Sequence, residues 1–157
     1  MLEVSARAPD FETTLDDGTR FRLSDLEGKK NVVLYFYPAD FTGGCTAQAC
    51  SFRDNYDTVQ GYDAVIIGVS GDTLDSHVSF KEKHGLGFPL ISDTDRKIAR
   101  LYEVTSSFPK IRPRITYVID KQGIIRSAFR HDIAIGRHLA DTLDALEALQ
   151  KEPARGV

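Results

Sequence analysis

Two residues with nucleophilic potential stand at a defined spacing in this chain: Cys45 and Cys50, its two cysteines among 157 residues. A thiolate is the form that peroxides oxidise, giving a sulfenic acid that a second thiol can condense into a disulfide. Cys45 follows Thr42-Gly43-Gly44, shortly after an apolar run that ends at Pro38. This order places Cys45 in or near the first turn of a helix, where unpaired backbone N–H groups and the positive dipole end favour a thiolate. The loop between a sheet strand and the next helix is also where α/β folds usually carry their chemistry.

The residues that follow set the face of that helix. Cys45, Ala49, Phe52, Tyr56 and Val59 fall on one stripe, so Cys45 is expected to begin the core-facing side and to be only partly exposed. Cys50 lies about 140° further around, facing elsewhere. Five helical residues rise about 7.5 Å, beyond the roughly 7 Å limit between the Cα atoms of a disulfide. A bridge between the two therefore requires a late helix start or local unwinding, and unwinding on oxidation is the expectation. Spacing alone leaves open a second reading, in which both are small buried apolar residues. Metal binding is disfavoured: two thiols need further ligands, and His77, His84, His131 and His138 show no recognised ligand spacing.

The elements that position these residues alternate along the chain. Asp17-Gly18 between two short β-prone runs reads as an N-terminal hairpin, and Ser24 to Glu27 has capping-box spacing for a brief helical turn. Val32 to Tyr37 is a continuous β-rich run, as expected of a central strand covered on both faces. A helical pattern then extends to about Gly61, and Ala64 to Ser70 is a second buried strand. Thr73 to His84 reads as a helix stopped by Gly85, Phe88 to Asp93 as a short extended piece, and Thr94 to Tyr102 as another helix. Ile115 to Ile119 and Ile124 to Phe129 flank a turn at Asp120 to Gly123, and a last helix runs from about Gly136 to Lys151. Leu139, Leu143, Leu146 and Leu149 form the apolar stripe of that helix. The order predicts an α/β chain of thioredoxin-like architecture, a mixed sheet with helices on both faces, in one domain spanning 1–157.

Composition sets the outer limits. Hydrophobic residues make up 41% and charged residues 27%, close to the globular average. A net charge of −3 gives no electrostatic reason to expect nucleic acid or an anionic membrane as partner. The apolar runs are strand-sized, and the first residues carry no basic-then-apolar signal, so a cytoplasmic protein is expected. Gly68 to Asp72 lacks the lysine and glycine spacing of a phosphate loop, Lys81-Glu82-Lys83 reads as a solvated helix face, and Arg112-Pro113-Arg114 as a loop shaped by its proline.

The run Tyr35 to Thr46 closely resembles the peroxiredoxin signature Pro-x-x-x-Thr-x-x-Cys, and Ala49-Cys50-Ser51-Phe52-Arg53-Asp54 resembles the bacterioferritin comigratory protein, or peroxiredoxin Q, branch. The likeness continues through Gly68 to Asp72, Phe88 to Asp93 and Arg114 to Asp120. The resemblance implies that Cys45 is the peroxidatic nucleophile and Cys50 the resolving thiol, joined as an intramolecular disulfide. It also implies that Pro38 shields the thiolate, Thr42 hydrogen-bonds the peroxide oxygens, and Arg114 supplies fixed positive charge. Hydrogen peroxide and organic hydroperoxides are the implied substrates and thioredoxin or a similar dithiol the reductant, with no metal or organic cofactor. Many members of the branch have Pro-Gly before the peroxidatic cysteine, whereas Gly43-Gly44 stands here, adding backbone freedom where the helix begins.

Two other functions fit a thioredoxin-like scaffold: a general dithiol–disulfide oxidoreductase and a non-enzymatic redox sensor. The absence of Cys-x-x-Cys argues against the first. An intramolecular resolver needs no second subunit, so a monomer is expected, with a weak homodimer as the alternative.

Overall fold

The computed structural model describes residues 1–104 and 113–152; Arg112 of the expected proline-shaped loop lies outside them. Thirteen elements follow in the order β1 (Glu12–Thr14), β2 (Arg20–Arg22), a 3-10 turn (Leu23–Leu26), β3 (Asn31–Phe36), α1 (Gly43–Asp54), α2 (Tyr56–Gly61), β4 (Ala64–Ser70), α3 (Leu74–His84), β5 (Leu90–Ser92), α4 (Lys97–Leu101), β6 (Ile115–Ile119), β7 (Ile125–Arg130) and α5 (Gly136–Lys151). Strands β1 and β2 pair as the expected hairpin, and the main sheet has the order β5-β4-β3-β6-β7. Within it β4 runs parallel to β3 and β5, while β6 is antiparallel to both β3 and β7. The run Asn31–Phe36 is buried throughout because it is the central strand, with side chains alternating into two cores. Val33 and Tyr35 face the core shared with Cys45, Phe52, Phe80 and Leu146, contributed by α1, α3 and α5. Leu34 and Phe36 face the core closed by Phe11, Leu23 and Tyr102, from the N-terminal segment and the end of α4. Among the described residues no helix is long and apolar enough to cross a membrane.

Three local departures from the sequence reading have physical causes. The helical pattern after Pro38 is two helices, because Asn55 leaves helical geometry (φ −113°, ψ 10°) and its side chain donates to the Ser51 carbonyl at 2.9 Å. The α4 helix starts later than Thr94, since Arg96 is left-handed and the Asp93 carboxylate accepts from the Ile98 and Ala99 N–H groups. Ser24 does not cap the turn after the hairpin; its own N–H is held by Asp10 at 2.9 Å, a partner distant in sequence. By contrast, Thr73 accepts from Ser76 N–H at the start of α3 and Gly85 ends it at φ 61°, as the residue types dictate.

Candidate active site

Strand β3 is central, so the loop leaving its C-terminal end emerges over the middle of the sheet. That loop delivers Cys45 as the third residue of α1, on the face that packs against β3. The thiol is more deeply placed than its stripe position suggested: Cys45 is 1% exposed, and Ala49 and Phe52 continue the buried line. Arg114 comes from the other side, immediately before β6, whose first residue Ile115 pairs with Phe36. This antiparallel register carries the guanidinium beside the end of β3. Arg114 is itself buried, with Nη2 3.3 Å from Cys45 Sγ and Nη1 donating to Gln48 Oε1 at 2.5 Å. Its backbone N–H is held by Asp132 Oδ1 at 2.9 Å.

Gly44 permits this approach. A Cβ there would stand 2.6 Å from Ile135 Cδ1 and 3.2 Å from Arg114 Nη2, so a side chain would have to displace Ile135 and would crowd the guanidinium. Gly43 is different: nothing lies within 4 Å of where its Cβ would be. Thr42 caps α1 through its backbone carbonyl, which accepts from Thr46 N–H at 2.9 Å, while its hydroxyl donates to the Ala39 carbonyl at 3.1 Å. The helix start therefore carries no side-chain cap. Pro38 is half-buried at the base of the same loop. Thus Cys45 and Arg114 meet directly, and Thr42 and Pro38 belong to the loop that leads into them.

Cys50 sits on the same helix but off the stripe, half-buried, and neither cysteine is in a disulfide. The bonded state expected on oxidation is not the state of this intact helix.

Several participants lay outside the sequence reading. Gln48, three residues after Cys45, was legible as a same-face neighbour at helical spacing but was not singled out. Tyr35 projects from β3 into the Cys45 core; among the described residues its hydroxyl has no hydrogen-bond partner. Burial first, and then the nearby charge of Cys45, push its phenol well above the ordinary value. Beneath the loop, Asp40 accepts from Tyr37 Oη at 2.6 Å and from Ser76 Oγ at 2.9 Å, and faces His77 Nδ1 at 2.7 Å. His77 is fully buried, and its Nε2–H donates to the Ile91 carbonyl at 2.9 Å. Burial works against its charged form, but the Asp40 contact outweighs this and raises its pKa. Asp72 fastens the loop from the other side by accepting from Asp40 N–H at 2.8 Å. The ligating atoms of Asp40, Asp72 and His77 lie within 4.8 Å of one another, as a metal site would need. Hydrogen bonds within the protein already engage all three, so they read as a structural buckle.

Comparison with known proteins gives the same direction from three sides. The model of the AhpC/TSA family matches residues 4–128. Peroxiredoxin Bcp of Bacillus subtilis is 40% identical, the alignment covering 96% of this chain and 99% of that protein. Peroxiredoxin Q from the chloroplast of Oryza sativa subsp. japonica is 41% identical over 94% of this chain and 68% of its own length. Among solved structures, peroxidoxin BcpB of Mycobacterium tuberculosis superposes with a TM-score of 0.88 at 30% identity, covering 95% of this chain and 99% of that one. The bacterioferritin comigratory protein of Xanthomonas campestris, whose structures concern alkyl peroxide reduction, superposes with a TM-score of 0.85 at 30% identity, covering 96% and 99%.

Proposed function

The chain belongs to the AhpC/TSA family, in its Bcp/peroxiredoxin Q branch, and on that premise we propose how its residues divide the work of a thiol peroxidase. Cys45 attacks the terminal peroxide oxygen as a thiolate, forming the S–O bond as the O–O bond breaks. The observation that carries this assignment is the buried Arg114 guanidinium 3.3 Å from Cys45 Sγ. A fixed positive charge in a water-poor pocket favours the thiolate and the negative charge growing on the leaving oxygen. Gln48 holds that guanidinium in place. Thr42 exchanges its bond to the Ala39 carbonyl for one to the peroxide, and Pro38 keeps water from the sulfur. Cys50 then condenses with the sulfenic acid of Cys45, and a dithiol reductant such as thioredoxin reopens the disulfide. Hydrogen peroxide and organic hydroperoxides are the substrates of this reading, a monomer its working unit and the cytoplasm its setting.

Peroxide consumption coupled to a thioredoxin recycling system tests the assignment. Cys45→Ser should be inactive. Cys50→Ser should consume one equivalent, fail to recycle, and over-oxidise at high peroxide. Steady thioredoxin-driven turnover by Cys50→Ser would remove Cys50 from the mechanism. Insulin reduction without peroxide turnover would favour a general dithiol oxidoreductase instead.

A further inference from the structure

The resolving step needs a thiol to lose its proton, and the environment of Cys50 contains a group fitted to take it. Cys50 Sγ lies 3.9 Å from His84 Nδ1, at the last turn of α3. The ring of His84 is held by aromatic neighbours: Phe80 meets it edge-on with centroids 5.1 Å apart, and Phe41 packs at 6.5 Å. Its backbone carbonyl accepts from Arg53 Nη1 at 2.7 Å, which ties α3 to α1 at this point. The charged groups around the pair are Arg53, which interacts electrostatically with Cys50 and pairs with Asp54, and Lys83, whose Nζ sits 5.8 Å over the Phe41 ring.

Resting on the reading of Cys50 as resolver, we propose that His84 is a catalytic residue of the second half-reaction, the base that deprotonates Cys50. With its own proton on Nε2, His84 presents the Nδ1 lone pair to the thiol. The Cys50 S–H bond breaks and its proton passes to Nδ1. The Cys50 sulfur attacks the Cys45 sulfur, the S–S bond forms, and the S–O bond of the sulfenic acid breaks. The departing hydroxide takes the proton from the imidazolium and leaves as water. The Cys45 sulfur is reduced from the sulfenic level and the Cys50 sulfur oxidised from the thiol level, both to disulfide. The arrangement also says which cysteine travels. Cys50 is docked against α3, so the segment Gly43 to Ala49 unwinds and brings the Cys45 sulfur to it.

Single-turnover kinetics with one equivalent of hydrogen peroxide separate the steps: a first phase for Cys45 oxidation and a second for disulfide formation. His84→Phe keeps a ring against Phe80 and Phe41 while removing Nδ1, and His84→Gln removes the base but keeps a polar side chain. Either variant should leave the first phase unchanged, which also reports an intact pocket. The second phase should slow by about 10²-fold at pH 7, the scale on which a positioned general base matters, and recover toward the wild-type rate in alkali. A second phase at the wild-type rate in both variants, or slowed equally at every pH, would overturn the role of His84. Cys50→Ser is the control for the underlying reading. Loss of its second phase with His84→Phe unaffected sinks the base alone, whereas a second phase surviving in Cys50→Ser sinks the resolver assignment and the base with it.

Discussion

Arg114 spends its guanidinium on two targets at once, Nη2 on the Cys45 sulfur and Nη1 on Gln48 Oε1. A planar fork can span both, and a lysine ammonium cannot hold the same geometry. Arg114→Lys is therefore expected to lower kcat/KM for peroxide by about 10²-fold, the scale on which a pre-placed donor to a growing negative charge matters. Steady-state peroxide assays check this, and a change of less than threefold would remove Arg114 from the chemistry. The arginine was visible in the sequence through its place in the family-like run, but its partner was not singled out. Gln48 becomes meaningful when helical spacing from Cys45 is combined with a strand that arrives from 66 residues away. The Tyr35 hydroxyl, the Asp132 anchor of Arg114 and the Asp40–His77 contact are likewise products of tertiary convergence, which residue spacing does not encode.

At the scale of the element, α1 is built to be opened. It begins with two glycines, has no side-chain cap, and places Cys45 and Cys50 five residues apart on one intact helix. Glycine at both first positions increases the entropy released on unwinding. The two glycines differ in consequence: Gly44 is closely approached by Ile135 and Arg114, whereas Gly43 has open space around it at the first helical position, where proline is favoured. Gly43→Pro should stabilise the reduced protein by about 0.4–1 kcal/mol and slow disulfide formation, with the peroxide-consuming phase unchanged. Denaturant unfolding and single-turnover kinetics read the two effects; unchanged or faster resolution in the variant would contradict the view that the helix start gates the step. The strand and helix positions around α1 were legible from hydrophobic pattern, and α5 matches its expected Gly136–Lys151. What pattern missed was the break at Asn55 and the late start of α4, both decided by single polar side chains capturing backbone groups.

Across the whole molecule, two buried histidines give stability opposite dependences on pH. His138 accepts from the Thr116 hydroxyl at Nδ1 and donates from Nε2 to the His131 carbonyl, an arrangement that needs the neutral ring. Burial lowers its pKa from 6.5 to about 4. The unfolded chain thus binds the proton more readily, so this contribution is complete above about pH 6.5 and is lost as pH falls toward 4, amounting to about 3 kcal/mol. His77 is raised, so its contribution is complete below its ordinary value and is lost only as pH climbs through the raised one. Stability measured by urea unfolding should therefore decline between pH 6.5 and 4 in the wild type. His138→Gln should flatten that decline; an unchanged slope would contradict the assignment. The same fold that buries these groups is expected to stay closed during catalysis, with motion confined to α1. Amide hydrogen exchange of the reduced protein and of protein oxidised with one equivalent of peroxide tests this most directly. Oxidation should abolish protection in α1, chiefly from Gly43 to Ala49, while β3, β4 and β6 keep theirs. A Cys45–Cys50 disulfide formed with protection across α1 unchanged would contradict it.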